Sequence, residues 1–544
     1  MPVSPYVPWR NRPRKSFLLV PLPFAAVIGV LCIVIYPWMK RVDLVDPAFA
    51  NLARLNVIIW MLILWWSLHH LTFQLAALFK LPADDPADMS TPEIRFAVLY
   101  LTCDDFSPLA CESCLVQKYD PALFCLLICD DSNDADRRAE IDSFIEQHKS
   151  SDYPDFIRVV RRGNRKGFKA GNLNHVFKHE VGSEVEWVVV LDADQVLPPD
   201  YLTRLAAAVA EQPSDVAFVQ TGHNPGEAAK SGRNAFQLAL DMEVMVFYER
   251  DLAWRERYGF LPALGHGIAV RSSSWRELGG FPELVSEDYA FALRASGRGI
   301  RGIYLEKIRS DESFPRDFGA FTVRLCKFAG GSAELLRREV GGFLLSRATW
   351  TEKLDFVMLL LWYPLLPLLL FNGFLSAYVC HRWWILGVSA LHPVLPYLFL
   401  LMFFLIFPVL RSEARGWLHA VRYWFWAVAV YSATLPIAAW RFLLHLFKQP
   451  VFVRTPKGAD EASGFIAAAV VMPVLGLLAI GLSILWWSPF SPVLASYGTA
   501  YASFPIYRYL HRLSLIGKVA RTLVMAPGAL LLVALYTMWF WGRL

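Results

Sequence analysis

Two carboxylates that could hold a metal ion follow a short apolar run in the chain. The run is WVVVL, and Asp192-Ala193-Asp194 comes directly after it. Carboxylates this close together at the end of a strand repel one another, and oxygen ligands of this kind suit Mg²⁺ or Mn²⁺ bridging a diphosphate. A D-x-D tripeptide alone often arises by chance. At the end of a buried strand in an α/β domain, however, Asp192 and Asp194 predict a cation site for a diphosphate ligand.

Two further acidic pairs also follow apolar runs. Asp104-Asp105 comes after the run FAVLYLT, and Asp130-Asp131 comes after LFCLLIC. Ligands of parallel α/β sheets bind beyond the carboxyl ends of the strands. One or two of these carboxylates could instead cap helices. Three acidic clusters at one edge of a sheet favour a polar ligand that needs a cation.

Cationic residues lie between these acidic motifs. Lys169-Ala170-Gly171-Asn172 precedes a predicted helix and supplies a cation and a glycine that permits close approach of the backbone. We expect the basic residues just upstream, with at most one exception, to form a solvated face: Arg161, Arg162, Arg165 and Lys166. No G-x-x-x-x-G-K-[ST] occurs in the sequence, which excludes a P-loop. The single G-x-G-x-x-G, at 297–302, follows a predicted helix rather than a strand, so it is not a dinucleotide fingerprint.

Another carboxylate motif, Ser286-Glu287-Asp288, follows the turn-rich segment Gly279-Gly280-Phe281-Pro282. A carboxylate at this place could act as a general base that takes a proton from an attacking hydroxyl. The alternative is a capping box at the start of a helix over residues 289–296. The residues alone do not favour one of these interpretations.

The elements that would position these residues alternate between strands and helices. Short β-rich runs occur at Phe96–Thr102, Leu123–Cys129, Ile157–Arg161, Trp187–Leu191 and Val216–Gln220. Polar segments of helical length separate them, including Asp134–His148 and Asp200–Glu211. This alternation predicts an α/β domain whose parallel sheet is covered on both faces.

Composition excludes a wholly soluble enzyme and a disordered chain. Of the 544 residues, 55% are apolar and only 19% are charged, whereas soluble proteins carry about 25% charged residues. The net charge of +5 does not indicate a nucleic-acid partner.

Long stretches without charge predict membrane spans: Ser16–Met39, Leu55–Phe79, Phe356–Cys380, Trp383–Leu410, Gly464–Ser488 and Thr522–Gly542, with Pro489–Tyr507 as a weak seventh.

Charge bias predicts the orientation of the spans. Arg10, Arg12, Arg14 and Lys15 precede the first span, which is too long for a signal peptide and is expected to be an anchor. The charged region after the second span is then cytoplasmic. There Cys111-x-x-Cys114 could bind zinc, but no second pair with ligand spacing occurs, so we expect ordinary buried thiols. Trp417–Phe447 is apolar but interrupted by cations, which favours a helix lying in the membrane interface over a span.

The motifs occur in a recognisable order: DDS (130–132), KAGNLN (169–174), DAD (192–194), VQTGH (219–223), GGFPELVSED (279–288) and FVRTPKG (452–458). In these motifs and in its membrane setting the sequence resembles the membrane-embedded family 2 glycosyltransferases, the group of bacterial cellulose, curdlan and hyaluronan synthases. The resemblance implies an α/β GT-A (Rossmann-like) domain, cytoplasmic and inserted in an α-helical bundle of about seven spans plus interfacial helices. It also implies a multi-pass protein of the bacterial inner membrane.

The resemblance implies roles for individual residues. Asp288 would be the catalytic base of an inverting displacement, and Asp192 and Asp194 would hold Mg²⁺ or Mn²⁺. The nucleotide sugar would be bound by Thr102, Asp130, Asp131, Lys169, Asp192, Arg324 and Lys327, and the acceptor by Phe328, Glu287, His223 and His266. Phe452, Thr455 and Lys457 resemble the gating loop of cellulose synthases.

One departure from the family pattern concerns processivity. Polymerising members carry Q-x-x-R-W where this sequence has Arg324-Leu325-Cys326-Lys327-Phe328. Lys327 could still neutralise a diphosphate, although without the bidentate fork of arginine. Phe328 could still stack on a sugar, although with a smaller face than Trp.

We expect four regions: an N-terminal transmembrane pair (1–80), the catalytic domain (81–320), interfacial helices with the R-x-x-K-F segment (321–355) and a C-terminal transmembrane region (356–544). The last would contain an interfacial helix at about 412–447 and the gating-like loop at 450–463.

These features predict a processive enzyme that extends a β-linked polysaccharide from a nucleotide sugar, UDP-linked and of glucose type, and exports it. Its partners would be the growing glycan or a lipid acceptor, membrane lipids and export subunits. Two alternatives are a non-processive transferase that adds one or a few sugars to a membrane lipid, and a channel or transporter with a cytoplasmic domain. The scarcity of charges in the spans disfavours ion transport.

Overall fold

A computed structural model describes most of the chain. The described residues are 21–40, 47–78, 92–149, 156–225, 234–386, 410, 416–450 and 463–541, without positions 38, 48, 77 and 211. The predicted gating-loop residues Phe452, Thr455 and Lys457 lie outside the described residues, as does most of the predicted span Trp383–Leu410.

The soluble region contains a seven-stranded sheet. Its strands are β1 (Phe96–Thr102), β2 (Phe124–Asp130), β3 (Ile157–Arg161), β4 (Trp187–Asp192), β5 (Val216–Pro225), β6 (Ile268–Arg271) and β7 (Arg301–Glu312). They are arranged in the order β3-β2-β1-β4-β6-β5-β7. The five predicted strands are all present, and two of them have the predicted bounds.

The predicted parallel sheet is wrong at one strand. The pairings among β3, β2, β1 and β4 are parallel, but β6 pairs antiparallel with both β4 and β5. With only four residues, β6 is too short to show a clear apolar pattern. β7 pairs parallel with β5 and was missed because its sequence, RGIYLEKIRSDE, is largely polar.

Helices cover both faces of the sheet. In the soluble region they are α3 (Pro108–Leu115), α4 (Ala135–His148), α5 (Phe168–His179), α6 (Tyr201–Ala210), α7 (Ala235–Val246), α8 (Leu252–Tyr258), α9 (Ser272–Leu278), α10 (Glu287–Arg298), α11 (Phe318–Arg338) and α12 (Val340–Leu344); α1 and α2 are given below. One apolar cluster packs Leu99 and Val190 against α5 and α10, and the other packs Val98 and Val189 against α4 and α6. Alternate residues of the central strands therefore enter opposite layers, and the predicted α/β class is confirmed.

The remaining helices are strongly apolar. They are α1 (Pro21–Val30), which continues as a π-turn to Ile35, α2 (Ala50–Ala76), α13 (Trp350–Ile385), α14 (Trp417–His445), α15 (Ser463–Leu485), α16 (Ser491–Ala502), α17 (Phe504–Tyr507), α18 (Leu515–Leu523) and α19 (Ala526–Trp541). Within the described residues, five helical stretches are long and apolar enough to cross a membrane: Ala50–Ala76, Trp350–Ile385, Trp417–His445, Ala467–Leu485 and Leu515–Phe540. The chain is therefore a membrane protein.

Two span predictions differ from these helices. The weak seventh span over 489–507 is split into α16, of 12 residues, and α17, of 4 residues, and each is too short to cross the hydrocarbon core. The predicted interfacial segment forms α14, a continuous helix of 29 residues that could also cross a membrane. Its placement in the interface stays a prediction.

The contacts of α14 do not distinguish the two placements. α14 runs beside α11, where the ring of Phe321 lies 6.4 Å from the ring of Trp426. It also packs against two candidate spans: the ring of Trp362 on α13 lies 6.4 Å from the ring of Tyr431, and a Cβ on Gly528 of α19 would lie 2.3 Å from the ring of Phe425.

A buried ion cluster joins the soluble domain to the apolar helices. Arg255 on α8 is fully buried, and its Nε lies 2.7 Å from Asp251 Oδ2. The same guanidinium pairs with Asp355 at the start of α13, and His69 Nε2 on α2 lies 2.7 Å from Asp355 Oδ1. The amide of Phe260 donates to Asp355 Oδ2 at 2.8 Å. One carboxylate thus connects two apolar helices to the loop that follows α8.

Candidate active site

Three of the predicted site residues end neighbouring strands at one edge of the sheet. In the strand register, Thr102 of β1 lies opposite Asp130 of β2, and Leu101 lies opposite Asp192 of β4. Thr102 is buried, and its Oγ1 donates to Asp105 Oδ1 at 3.2 Å. The expectation that the acidic motifs share the carboxyl edge of the sheet is confirmed.

The acidic pair after β2 is bound by two arginines. Arg161 Nε donates to Asp130 Oδ2 at 2.6 Å, and Arg162 Nε and Nη2 both donate to the carboxylate of Asp131, at 2.8 and 2.6 Å. The side chain of Arg162 is only 7% exposed. The prediction of a solvated basic face is therefore wrong for Arg161 and Arg162. Their spacing of 31 residues from the two carboxylates hid the pairing in the sequence.

Lys169 lies between the two predicted catalytic motifs. Its Nζ donates to Asp192 Oδ1 at 2.7 Å and to the carbonyl of Gly265 at 2.8 Å, and it lies 3.9 Å from Glu287 Oε1. Asp192, Glu287 and Asp288 outweigh burial and raise the pKa of Lys169 above its ordinary value. The ammonium therefore stays charged and holds the D-A-D and S-E-D motifs together.

A glycine allows the first turn of α5 to bring Lys169 to this place. A Cβ on Gly171 would lie 2.0 Å from the carbonyl oxygen of Lys166, closer than real contacts allow. The helix therefore packs directly on the preceding turn, in which Gly167 is left-handed with φ +74°. The close approach that the KAGN motif predicted is confirmed.

Asp288 lies in the first turn of α10, and its Oδ1 accepts the amide of Tyr289 at 2.8 Å. The N-cap residue, Ser286, makes no side-chain capping bond, so the capping-box interpretation is wrong. Burial is the largest effect on Asp288 and raises the pKa of its carboxyl, while Lys169 and Lys327 act in the opposite direction. A carboxylate with a raised pKa is a stronger base than an exposed aspartate.

Glu287 is also buried and lies close to Lys169. It is 4% exposed, and burial together with the charge of Asp288 raises the pKa of Glu287 to about 7. Lys169 and Lys327 oppose this rise. The site therefore holds two adjacent carboxyl groups whose protonation depends on two lysines.

The R-x-x-K-F segment lies on α11 and faces this pair of carboxyl groups. Burial lowers the pKa of Lys327, while the charges of Glu287, Asp192 and Asp288 oppose that effect. Phe328 is 43% exposed, and the guanidinium of Arg324 lies 6.0 Å from the centre of its ring. A cation at the site and an accessible aromatic face are thus both present, although the letters of the motif differ from the family pattern.

The helix carrying this segment is packed tightly against the S-E-D motif. A Cβ on Gly331 would lie 2.2 Å from Ser286 Oγ, and Glu334 Oε2 accepts the amide of Val285 at 3.0 Å. A Cβ on the adjacent Gly330 would lie 3.4 Å from Pro450, the first residue of the gating-like loop. That loop therefore begins beside α11.

The structure brings His223 and His266 together with Glu312, a residue that the sequence did not single out. His223 is fully buried on β5, and its ring lies 4.7 Å from the ring of His266. Gln195, which was also missed, contacts the same imidazole through Nε2 at 3.2 Å. Its position directly after Asp194 was the only available signal.

Asp192 and Asp194 fit the divalent cation that the motif predicts. Both are partly buried at the end of β4, and the side chain of Asp192 is 37% exposed. Their carboxylate oxygens are hard donors of the type that Mg²⁺ and Mn²⁺ prefer. Cys111 and Cys114 are buried free thiols, and burial raises the pKa of Cys114 to about 12.

Residues 187–541 match the sequence model of one protein family, described as glycosyl transferase family group 2. The match covers strands β4 to β7, the S-E-D motif and the apolar helices that follow. It therefore includes both Asp192 and Asp288.

Curated relatives match a shorter part of the chain. Glucomannan 4-beta-mannosyltransferase 1 of Oryza sativa subsp. japonica is 32% identical over 179 residues, which are 32% of this chain and 34% of the relative. Glucomannan 4-beta-mannosyltransferase 2 of Arabidopsis thaliana is 30% identical over 188 residues, 34% of each protein. The matched segment spans about a third of the length of these relatives.

Among solved structures, the mannosyltransferase PcManGT from Pyrobaculum calidifontis, in complex with GDP-Man and Mn²⁺, is similar at 16% sequence identity. The alignment covers 84% of this chain and 99% of that chain, with a TM-score of 0.40.

Proposed function

The chain belongs to glycosyl transferase family group 2, and from this premise we propose that it is a processive, inverting enzyme that extends a β-linked glycan from a nucleotide sugar. Membership in this family makes it a glycosyltransferase of the GT-A type and excludes the channel or transporter hypothesis. The observation that carries the proposal is the position of Lys169, which contacts Asp192 and lies 3.9 Å from Glu287, the neighbour of Asp288.

We propose that the donor carries mannose. The sequence favoured a UDP-linked sugar of glucose type, but the curated relatives are named glucomannan 4-beta-mannosyltransferases. Those names favour mannose over the expected glucose. GDP-linked and UDP-linked mannose both carry the diphosphate that Asp192, Asp194 and Lys169 are suited to bind, so the donor screen below includes both.

In the proposed reaction Asp288 takes the proton of an acceptor hydroxyl. The hydroxyl oxygen forms the new bond to the anomeric carbon on the face opposite the diphosphate, and the bond to the diphosphate oxygen breaks. Because the reacting carbon is attacked from the opposite face, the α-linked donor yields a β-linked product. Burial of Asp288 raises its pKa and supports this role as a general base.

Cations stabilise the charge that develops on the leaving diphosphate. Lys169 stays protonated between the carboxylates, and Lys327 approaches from α11. Electrostatic stabilisation by such preorganised groups is usually the largest contribution to catalysis. A divalent cation held by Asp192 and Asp194 would supply Lewis-acid stabilisation of the same charge when it is bound.

The acceptor sugar would stack on Phe328. Its ring is accessible, and Phe328 directly follows Lys327 on α11. The non-processive alternative rests on the departure of Arg324, Lys327 and Phe328 from Q-x-x-R-W. Glu287 and His266 complete the proposed acceptor side, whereas His223 is fully buried on β5 and is not part of it.

The membrane helices give the enzyme its second proposed task, export of the product. In the described part of the chain, five candidate spans flank the catalytic domain in sequence, one before it and four after it. The curated relatives come from plants, so the expected location in a bacterial inner membrane has no support from them. Export and the membrane concerned therefore belong to the proposal.

A product assay tests the function. The purified protein in detergent is supplied in turn with labelled GDP-mannose, UDP-mannose, UDP-glucose and GDP-glucose, and the product is sized and digested with linkage-specific glycosidases. We expect a β-linked mannose polymer of high mass. Short glycolipid that extracts into organic solvent would establish the non-processive alternative. Turnover with the glucose donors alone would contradict the proposal that the donor carries mannose. The Asp288→Asn variant should bind donor without transferring it.

A further inference from the structure

A second group of potential metal ligands lies beside the D-A-D motif. His223 is on β5, His266 is in the turn before β6, and Glu312 ends β7. One ligand atom from each residue lies within 4.8 Å of the others. His223 is fully buried, and the side chains of His266 and Glu312 are each 17% exposed. Three separate elements therefore direct nitrogen and oxygen donors at one small volume.

The distances within this group suit a shared ion better than hydrogen bonds. His223 Nδ1 lies 3.7 Å from Glu312 Oε2, and His266 Nε2 lies 3.8 Å from Glu312 Oε1. Hydrogen bonds from nitrogen to oxygen span about 2.7–3.2 Å. Ligands at about 2.1 Å from one tetrahedral metal ion lie about 3.4 Å apart. The two nitrogens approach different oxygens of Glu312, and the three ligand atoms lie within 4.8 Å of one another. Side-chain rotation that brings them closer by up to about 1.4 Å would let both imidazoles and the carboxylate bind a common ion.

The buried imidazole is held in position by the backbone. A Cβ on Gly267 would lie 2.4 Å from Cε1 of His223, so the backbone of this turn packs directly against the ring.

The surrounding polar groups can accommodate the change in bonding. His223 Nδ1 lies 3.2 Å from Gln195 Nε2 and 3.2 Å from Ser310 Oγ. Gln195 Nε2 also donates to Ser310 Oγ at 2.9 Å, and its Oε1 accepts the amides of Asp192 and Gly267. If Nδ1 binds an ion, Gln195 loses one contact and keeps the other three.

We propose that His223, His266 and Glu312 form a site for a divalent transition-metal ion, Zn²⁺ or Mn²⁺, separate from the site at Asp192 and Asp194. Two imidazoles and one carboxylate favour transition metals, whereas Mg²⁺ prefers oxygen ligands alone. The ion would link β5 to the end of β7 and to the turn that contains Gly265, the residue whose carbonyl accepts Lys169. It would thus hold this turn in place. We call it the catalytic turn, because a Cβ on Gly265 would contact Asp288.

Metal binding is measured on the full-length protein in detergent after removal of metal with EDTA. Titration with Co²⁺, followed by visible absorption, reports nitrogen ligands, and mass spectrometry of bound Zn²⁺ gives the stoichiometry. In the D192N/D194N variant, which lacks the carboxylates of the other site, we expect one bound ion and the absorption of a His-containing site. In that background H266Q and E312Q should each weaken binding at least tenfold, about 1.4 kcal/mol.

A control substitution and two outcomes complete the test. H179Q changes an exposed histidine on α5 and should leave binding unchanged. The proposal is overturned if D192N/D194N binds no ion, or if H266Q and E312Q both bind as tightly as their parent. Because His223 is buried and its replacement could prevent folding, the test uses the two partly exposed ligands. The readout is binding rather than turnover, so its failure leaves the proposed glycosyltransferase function untouched.

Discussion

Lys169 Nζ lies 2.7 Å from Asp192 Oδ1, and this contact joins the first turn of α5 to the end of β4. The same ammonium lies 3.9 Å from Glu287 Oε1. Motifs that are separated in the sequence are therefore held by one cation. The position and charge of the S-E-D motif depend on it.

The first prediction concerns this cation. Lys169→Met keeps the length of the side chain but leaves Asp192 and Glu287 without its charge. Removal of one preorganised group of this kind lowers kcat by about 100-fold or more. We expect a loss of that size in kcat/KM, measured by release of nucleoside diphosphate from the best donor.

Lys178→Met provides the control, because Lys178 lies on the same helix and is exposed. Turnover of this variant should equal that of the unsubstituted enzyme. If Lys169→Met also turns over as fast as the unsubstituted enzyme, Lys169 has no role in catalysis.

A second prediction tests the space around the proposed base. A Cβ on Gly265 would lie 2.8 Å from Asp288 Oδ2, and Gly265 has φ +76°. Gly265→Ala should therefore displace the Asp288 carboxylate and lower kcat by about 100-fold, since small misplacements of reacting groups cost that much. Donor binding, measured by calorimetry, should change less than kcat.

The control separates this displacement from backbone strain. Gly279 has φ +78° and no atom within 4 Å of an added Cβ. Gly279→Ala therefore carries the same conformational cost, about 1 kcal/mol, without the contact. If the two variants lose equal activity, backbone strain explains the loss, and displacement of the Asp288 carboxylate does not.

Much of this site followed from the sequence because it depends on local rules. β1 and β3 have the predicted bounds, and parallel strands bring their carboxyl ends to one edge. Asp130 and Asp192 were placed there because each directly follows an apolar run. Asp288 could be assigned only by family resemblance, since its own segment fitted a capping box equally well.

The residues that were missed depend on contacts between distant parts of the chain. Glu312 reaches His223 because β7 pairs with β5, and the polar sequence of β7 did not predict a strand. The pairs Arg161–Asp130 and Arg162–Asp131 arise from the neighbouring positions of β3 and β2. A charged residue in a sequence shows neither how deeply its side chain is buried nor which residue it pairs with. Arg161 and Arg162 were therefore expected to be solvated.

A third prediction concerns pH. The proposed base acts when it is deprotonated, so kcat/KM should rise with pH through the pKa of Asp288. Lys327 lowers the pKa of both Asp288 and Glu287. Lys327→Met removes this effect, the pKa of Asp288 rises, and the acid limb of the pH–rate profile should move to higher pH.

Lys307→Met, which changes an exposed lysine on β7, should leave the limb in place. A lower plateau with an unmoved acid limb in Lys327→Met would mean that Lys327 acts on the leaving group alone and not on the base.

The last prediction tests the connection between the apolar helices and the catalytic turn. Asp355 on α13 pairs with the buried Arg255 and accepts the amide of Phe260, five residues before Gly265. Asp355→Asn leaves the guanidinium of Arg255 with Asp251 as its remaining carboxylate. Breaking a buried pair costs about 3–5 kcal/mol. We therefore expect a lower unfolding midpoint in detergent and reduced turnover, because the loop that carries Gly265 loses part of its anchor.

Glu339→Gln provides the control. It breaks a partly exposed pair with Arg294 and should cost no more than about 1 kcal/mol. An Asp355→Asn variant as stable and active as Glu339→Gln would show that the buried cluster does not position the catalytic turn.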